Sequence, residues 1–176
     1  MLQACMKGDQ RAQLEIYNRY YHAMYNTALR IVKDSAEAED IMQESFLSAF
    51  TKLHTFKGEV TFGAWLKRIV INNSIHQYRK GQKHQEVGLE SVMYKVEDKD
   101  VTDADSGSTE RMAQKVLETL KQLKDSYRIS LTLHLIEGYD YEEICEITGM
   151  SYGSCRTTIS RAKESLRKKL TLSESV

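Results

Sequence analysis

Residues 141–170 read YEEICEITGMSYGSCRTTISRAKESLRKKL. Tyr141 to Thr148 is predicted as a short helix, with Ile144 and Ile147 facing inward and Glu142 and Glu143 outward. Gly149 follows it, suited to the left-handed backbone that ends a helix. Ser151 is a good N-cap for the next helix. There Cys155, Ile159, Ala162, Leu166 and Leu170 recur at steps of four, three, four and four, a narrow apolar stripe. The small Cys145 faces the turn, where two helices must approach closely. A short helix, a tight glycine turn and a capped second helix are the marks of a helix-turn-helix.

The second helix carries Arg156, Thr157, Ser160, Arg161, Lys163, Arg167 and Lys168 off that stripe, opposed only by Glu164. A guanidinium can fork to a guanine edge, and hydroxyls can touch bases or phosphates. A helix N-terminus can face a phosphate. These are the needs of a recognition helix in the major groove. The cysteines do not compete with this reading. Cys5, Cys145 and Cys155 contain no Cys-x-x-Cys pair, and His134 does not complete a zinc pattern. They read as small buried thiols.

The chain as a whole agrees. Its 176 residues include no proline and nine glycines, and 25 basic side chains balance 25 acidic ones. So few helix breakers among so much Ala, Leu, Glu, Lys and Gln point to an all-α protein. Zero net charge argues against a uniformly basic nucleic-acid coat and leaves local patches open. No apolar run approaches the roughly 20 residues of a membrane span. The N-terminus lacks a secretory pattern, so a cytoplasmic protein without membrane insertion is expected.

Helical periodicity is dense over residues 1–84. Leu14, Tyr17, Tyr21, Met24, Tyr25 and Ala28 make one stripe, and Ala38, Ile41, Met42, Phe46, Ala49, Phe50 and Leu53 a second. Asp34 or Ser35 is placed to cap that second helix. FKGEVTFG (56–63) interrupts the pattern, which resumes through Trp65, Leu66, Ile69 and Val70. Residues 85–110 are acidic and include DADSGST, so they read as a flexible linker. Residues 111–176 form the second small domain. Within it RISLTLHLIEG (128–138) alternates like a strand but also permits a helix burying Ile129, Leu133 and Ile136. Helical neighbours and the lack of any pairing strand favour helix.

Taken together, these motifs resemble one family. EGYDYEEICEITGMSYGSCRTTISRAKESLRKKL (137–170) resembles the C-terminal domain of the extracytoplasmic-function (ECF) sigma factors of the sigma-70 family. AEDIMQESFLSAF (38–50), FKGEVTFGAWLKRIVINNSIHQYRK (56–80) and GDQRAQLEIYNRYY (8–21) resemble their N-terminal domain. The resemblance spans nearly the whole chain, with both motif groups in order.

It implies a sigma factor without enzymatic activity or cofactor, which binds core RNA polymerase and directs it to promoters. The N-terminal domain would read the minus-ten element and grip the beta-prime clamp helices. The C-terminal domain would read the minus-thirty-five element and sit on the beta flap. An anti-sigma factor is a further partner of many relatives. By resemblance, Glu39, Asp40, Gln43 and Glu44 form the polar grip on polymerase. The loop Lys57–Phe62 would hold an extruded promoter base, at a cost of a few kcal/mol in unstacking. Asn72 would hydrogen-bond that base and Phe62 would stack on it, whereas Trp65 opens an apolar stripe and reads as core. Lys67, Arg68, Arg79, Lys80 and Lys83 would neutralise backbone phosphates, and His76 lies among them. For the minus-thirty-five element the corresponding residues are Ser151, Ser154, Arg156, Thr157, Ser160, Arg161, Lys163 and Arg167.

Two positions depart from the family pattern. His76 stands where many relatives carry aspartate, and Thr158 where many carry arginine, so promoter preference is left open. A one-component repressor would share the helix-turn-helix and bind duplex alone, usually as a dimer. It would not account for AEDIMQESF or WLKRIVINN. A helical interaction module without DNA contact would leave the arginine array unexplained.

Overall fold

The computed structural model describes residues 1–85 and 108–172. They form two compact units, one from each stretch. All regular structure among the described residues is helical. Most of the stretch read as a linker, 86–107, lies outside them. Helix occupies Gln85 and Ser108–Glu110, positions the sequence reading gave to the linker. Glu110 in the first turn complements the helix dipole there.

In the first unit α1 (Leu2–Met6) leads into α2 (Gln10–Val32), α3 (Ser35–Thr51), a 3-10 turn (Leu53–Thr55) and α4 (Phe62–Gln85). The Asp9 carboxylate caps α2, accepting from the Arg11 and Ala12 amides at 2.9 and 3.2 Å. Asp34 caps α3 through the Glu37 amide at 2.8 Å. The Thr61 hydroxyl caps α4 through Ala64. Helices α2, α3 and α4 pack on one another around Ile16, Met24, Ala28, Ile41, Met42, Phe46, Leu66 and Val70.

The inward face of α2 differs from the expected stripe. Leu14 is 58% exposed, whereas Ile16 is buried. Two partner helices widen the covered arc and centre it on Met24 and Ile31. Tyr21 and Tyr25 then lie on its flank and Leu14 falls outside. Thr27 is buried within the arc because its hydroxyl bonds back to the Ala23 carbonyl at 2.9 Å.

A polar contact joins α3 to α4. Buried Ser45 donates to the Ile41 carbonyl at 2.6 Å and accepts from Asn73 Nδ2 at 2.9 Å. Where α4 begins, Gly63 lets the Tyr20 ring come close. A Cβ added at Gly63 would stand 2.9 Å from Tyr20 Cε1.

The second unit holds α5 (Ser108–Lys121), α6 (Asp125–Leu131) with a π turn (Thr132–Ile136), α7 (Tyr141–Thr148) and α8 (Tyr152–Leu172). The ambiguous segment is thus helical. Over residues 128–133 it is buried all round: Arg128, Ser130 and Thr132 are as covered as the apolar residues between them, so its alternation marks no inward and outward face. A π turn follows, closed by Glu137 N–H donating to the Thr132 carbonyl. Ile129, Leu131 and Leu133 are all buried, and Leu135 is half exposed. Helices α5, α6 and α7 all pack on α8.

Candidate nucleic-acid and partner interfaces

Helices α7 and α8 are set by local chemistry at both ends of their connection. Asp140 and Glu143 form a reciprocal capping box, with Glu143 N–H on Asp140 Oδ1 at 2.8 Å and Asp140 N–H on Glu143 Oε2 at 3.0 Å. Gly149 takes the left-handed conformation, φ 65°, and its N–H bonds the Cys145 carbonyl at 2.7 Å. Ser151 Oγ accepts from the Ser154 amide at 3.3 Å, so α8 starts at a capped, exposed end.

Cys155, Ile159, Ala162 and Leu166 are the buried side of α8. Cys155 Sγ lies 3.9 Å from the Tyr141 carbonyl, with Cys145 as its neighbour. Burial first, and then its Cys145 neighbour, push the Cys155 thiol up to about 11. Both cysteines are free thiols, and no group of metal ligands occurs among the described residues.

The other side of α8 carries the expected reading residues. Ser151, Ser154, Arg156, Thr157, Ser160, Arg161 and Arg167 are exposed, and Lys163 is half-buried. At about 100° per residue they form two stripes. Arg156, Ser160, Lys163 and Arg167 make one, and Ser154, Thr157 and Arg161 the other. Lys168 is paired with Glu164 at 2.7 Å on the open surface, where such a pair adds little stability. Thr158 is half-buried on the edge of the packed side.

On α4 the residues expected at the minus-ten element separate into groups. Arg68, Asn72, His76 and Arg79 recur at steps of four, four and three on the side away from buried Leu66, Val70 and Ser74. Asn72, His76, Arg79 and Lys80 are exposed, as is Lys57 in the loop before α4. Lys67 is not brought onto this stripe. It lies about 140° round the helix from Asn72, half-buried.

Phe62 corrects the expected stacking role. It is 8% exposed, with its ring edge-on to Tyr20 and Phe56 at centroid distances of 5.6 and 5.9 Å. Trp65 joins the same cluster, 5.7 Å from Phe62. In this arrangement Phe62 builds the floor beneath the loop and offers no face for a base. Three aromatic neighbours, Tyr20, Phe56 and Trp65, hold it inward, which the glycine-broken sequence around it did not reveal.

On α3, Glu39, Asp40, Gln43 and Glu44 are all exposed, and Gln43 Nε2 donates to Glu39 Oε1 at 3.3 Å. Beneath them lie buried Ile41, Met42, Ser45 and Phe46. The sequence reading missed Leu47. It is 69% exposed, and its position continues the Asp40, Gln43, Glu44 row by three residues. An apolar side chain at the end of an acidic row was the available signal. The sequence reading named the charged and amide side chains of this row and left Leu47 unassigned.

The comparisons with known proteins follow these two surfaces. The family profile described as Sigma-70 region 2 matches residues 16–84, and that described as Sigma-70, region 4 matches residues 113–166. The RNA polymerase sigma-H factor of Pseudomonas aeruginosa is 30% identical over 97% of this chain and 92% of its own length. The ECF RNA polymerase sigma-E factor of Escherichia coli K12 is 28% identical over the same shares. In fold, the chain is similar to the sigma factor RpoE of Bartonella quintana, solved with the anti-sigma factor NepR. That likeness has a TM-score of 0.57 at 24% identity and covers 89% of this chain and 95% of the other. A second likeness in fold is to CnrH, solved with the cytosolic domain of CnrY, with a TM-score of 0.56 at 22% identity over 97% and 95% of the two chains. Region 2 and region 4 in order, with relatives matched over almost their full length, place this chain in the sigma-70 family of RNA polymerase sigma factors, in its ECF group.

Proposed function

We propose that the chain binds core RNA polymerase and directs promoter-specific initiation from two separate DNA-reading surfaces. The α3 row of Glu39, Asp40, Gln43 and Glu44, with Leu47, grips the beta-prime clamp helices. The α4 stripe of Arg68, Asn72, His76 and Arg79, with Lys57 and Lys80, engages the minus-ten element, with Asn72 bonding an extruded base. Helix α8 enters the major groove of the minus-thirty-five element while its domain rests on the beta flap. The protein acts by binding alone, in the cytoplasm, and an anti-sigma factor restrains it. No helix among the described residues is long and apolar enough to cross a membrane.

One observation carries this reading. The polar row on α3 and the arginine array on α8 are both exposed, each on the outer side of a helix whose inner side is core. A lone repressor would need the second surface and have no use for the first. The test is transcription by holoenzyme from templates randomised separately across the two elements. Asn72→Ala shifts the preference at minus-ten only. Arg156→Ala shifts it at minus-thirty-five only, at a cost of about 1–3 kcal/mol. Exchanged effects, or none, would refute the assignment.

A further inference from the structure

At the start of α8 an aromatic side chain stands outside the core. Tyr152 is 48% exposed, although the next inward positions of the same helix, Cys155 and Ile159, are fully buried. The ring is nonetheless held. It meets Tyr141 edge-on, with centroids 6.0 Å apart and planes at 74°. Tyr141 in turn stacks on His134 at 5.2 Å and 24°. The imidazole is fixed through Nδ1, 3.1 Å from the Tyr139 carbonyl oxygen. Three rings therefore run from the π turn through α7 to the first turn of the recognition helix. A side chain held in place before binding loses little rotamer freedom on binding.

Its position gives the ring a use. Tyr152 lies one turn before Arg156 and about 40° round the helix from it. Gly153 beside it leaves open space, since a Cβ there would meet nothing within 4 Å. The free part of the ring thus borders the arginine stripe at the end of the helix that leads into the groove. In the major groove a thymine presents its 5-methyl group, which apolar side chains recognise by contact.

We infer that Tyr152 is a specificity-determining residue that packs its ring against a thymine methyl of the minus-thirty-five element. This rests on the reading that α8 lies in that groove. The Tyr141 and His134 rings position Tyr152 and do not touch DNA through it.

The experiment uses holoenzyme made from the full chain, with promoter templates in which each minus-thirty-five thymine is replaced singly by deoxyuridine. That exchange deletes the methyl and nothing else. With the wild-type chain, one position loses about fourfold in open-complex formation, the ratio expected for one methyl group leaving contact. With Tyr152→Ser the thymine-to-uracil ratio at that position falls towards one, and with Tyr152→Phe it stays. A purely bracing role would lower activity on both templates alike and leave the ratio unmoved. Arg156→Ala serves as the control for the groove reading. Arg156→Ala altering minus-thirty-five preference while no methyl effect depends on Tyr152 would overturn the Tyr152 assignment alone. No change with either variant would overturn the groove reading and the assignment with it.

Discussion

Leu47→Ala separates binding from folding more cleanly than any other change to the α3 surface. The side chain is 69% exposed in the free protein. Full burial of a leucine stabilises by about 1.5–3 kcal/mol, so covering the exposed two thirds in a complex contributes about 1–2 kcal/mol. Removing it should weaken binding to core polymerase about 5- to 30-fold. Alanine is the better helix former and leaves no cavity at an exposed site, so stability should stay within about 0.5 kcal/mol. The neighbouring Ile41, 4% exposed, sets the contrast. Ile41→Ala should cost about 2–5 kcal/mol of folding stability. Affinity measured by titrating labelled protein with core polymerase, beside thermal melts of both variants, distinguishes the two. Wild-type affinity in a folded Leu47→Ala protein would show that α3 does not place this side chain against polymerase.

Three further outcomes follow from packing and titration. Asn73→Ala removes the donor to buried Ser45 between α3 and α4, and should lower the stability of the first unit by about 1–3 kcal/mol in urea titration. Gly149→Ala forces a Cβ into the left-handed turn of the helix-turn-helix. It should cost about 1–2 kcal/mol and lower minus-thirty-five-dependent transcription more than core binding. Cys155, pushed up to about 11 from 9.0, should carry about a hundredfold less thiolate than an ordinary cysteine at pH 8. Mass spectrometry after iodoacetamide treatment should find it unmodified until urea unfolds the chain. Its contribution to stability holds below pH about 9, where folded and unfolded chains both keep the proton. That contribution is lost as pH rises towards about 11, because the unfolded thiol ionises first.

The helix-turn-helix was legible because its signals are local. Gly149 and Ser151 fix the two helix ends at the turn through hydrogen bonds and backbone conformation within a few residues of themselves. The apolar steps of α8 then set which side faces out. What failed to show depended on partners far along the chain. Leu14 lost its place because α3 and α4 together define the inward arc of α2, and periodicity within one helix cannot weigh two neighbours. Phe62 turned inward because Tyr20, more than forty positions earlier, covers it. Leu131 is buried beside Ile129 and Leu133 because the run 128–133 is covered on every side, Arg128, Ser130 and Thr132 included, which a one-sided helical repeat does not anticipate. Lys67 joined the basic group by charge alone, and rotation about α4 separates it from Asn72. On α3 and α8, charge picked out residues that the fold leaves mostly exposed. Leu47 and Tyr152 carry no charge and lie outside the apolar stripes read on their helices, so neither pattern singled them out.

The dependence on polymerase is most directly measured by transcription from a pool of genomic promoter fragments, with core polymerase alone and with the chain added. A sigma factor with an acidic α3 row, a modest basic surface and zero net charge should give discrete start sites only when both are present, while binding the same duplexes weakly by itself. Tight, sequence-specific protection of duplex by the free chain, with no start sites gained when core polymerase is supplied, would contradict it.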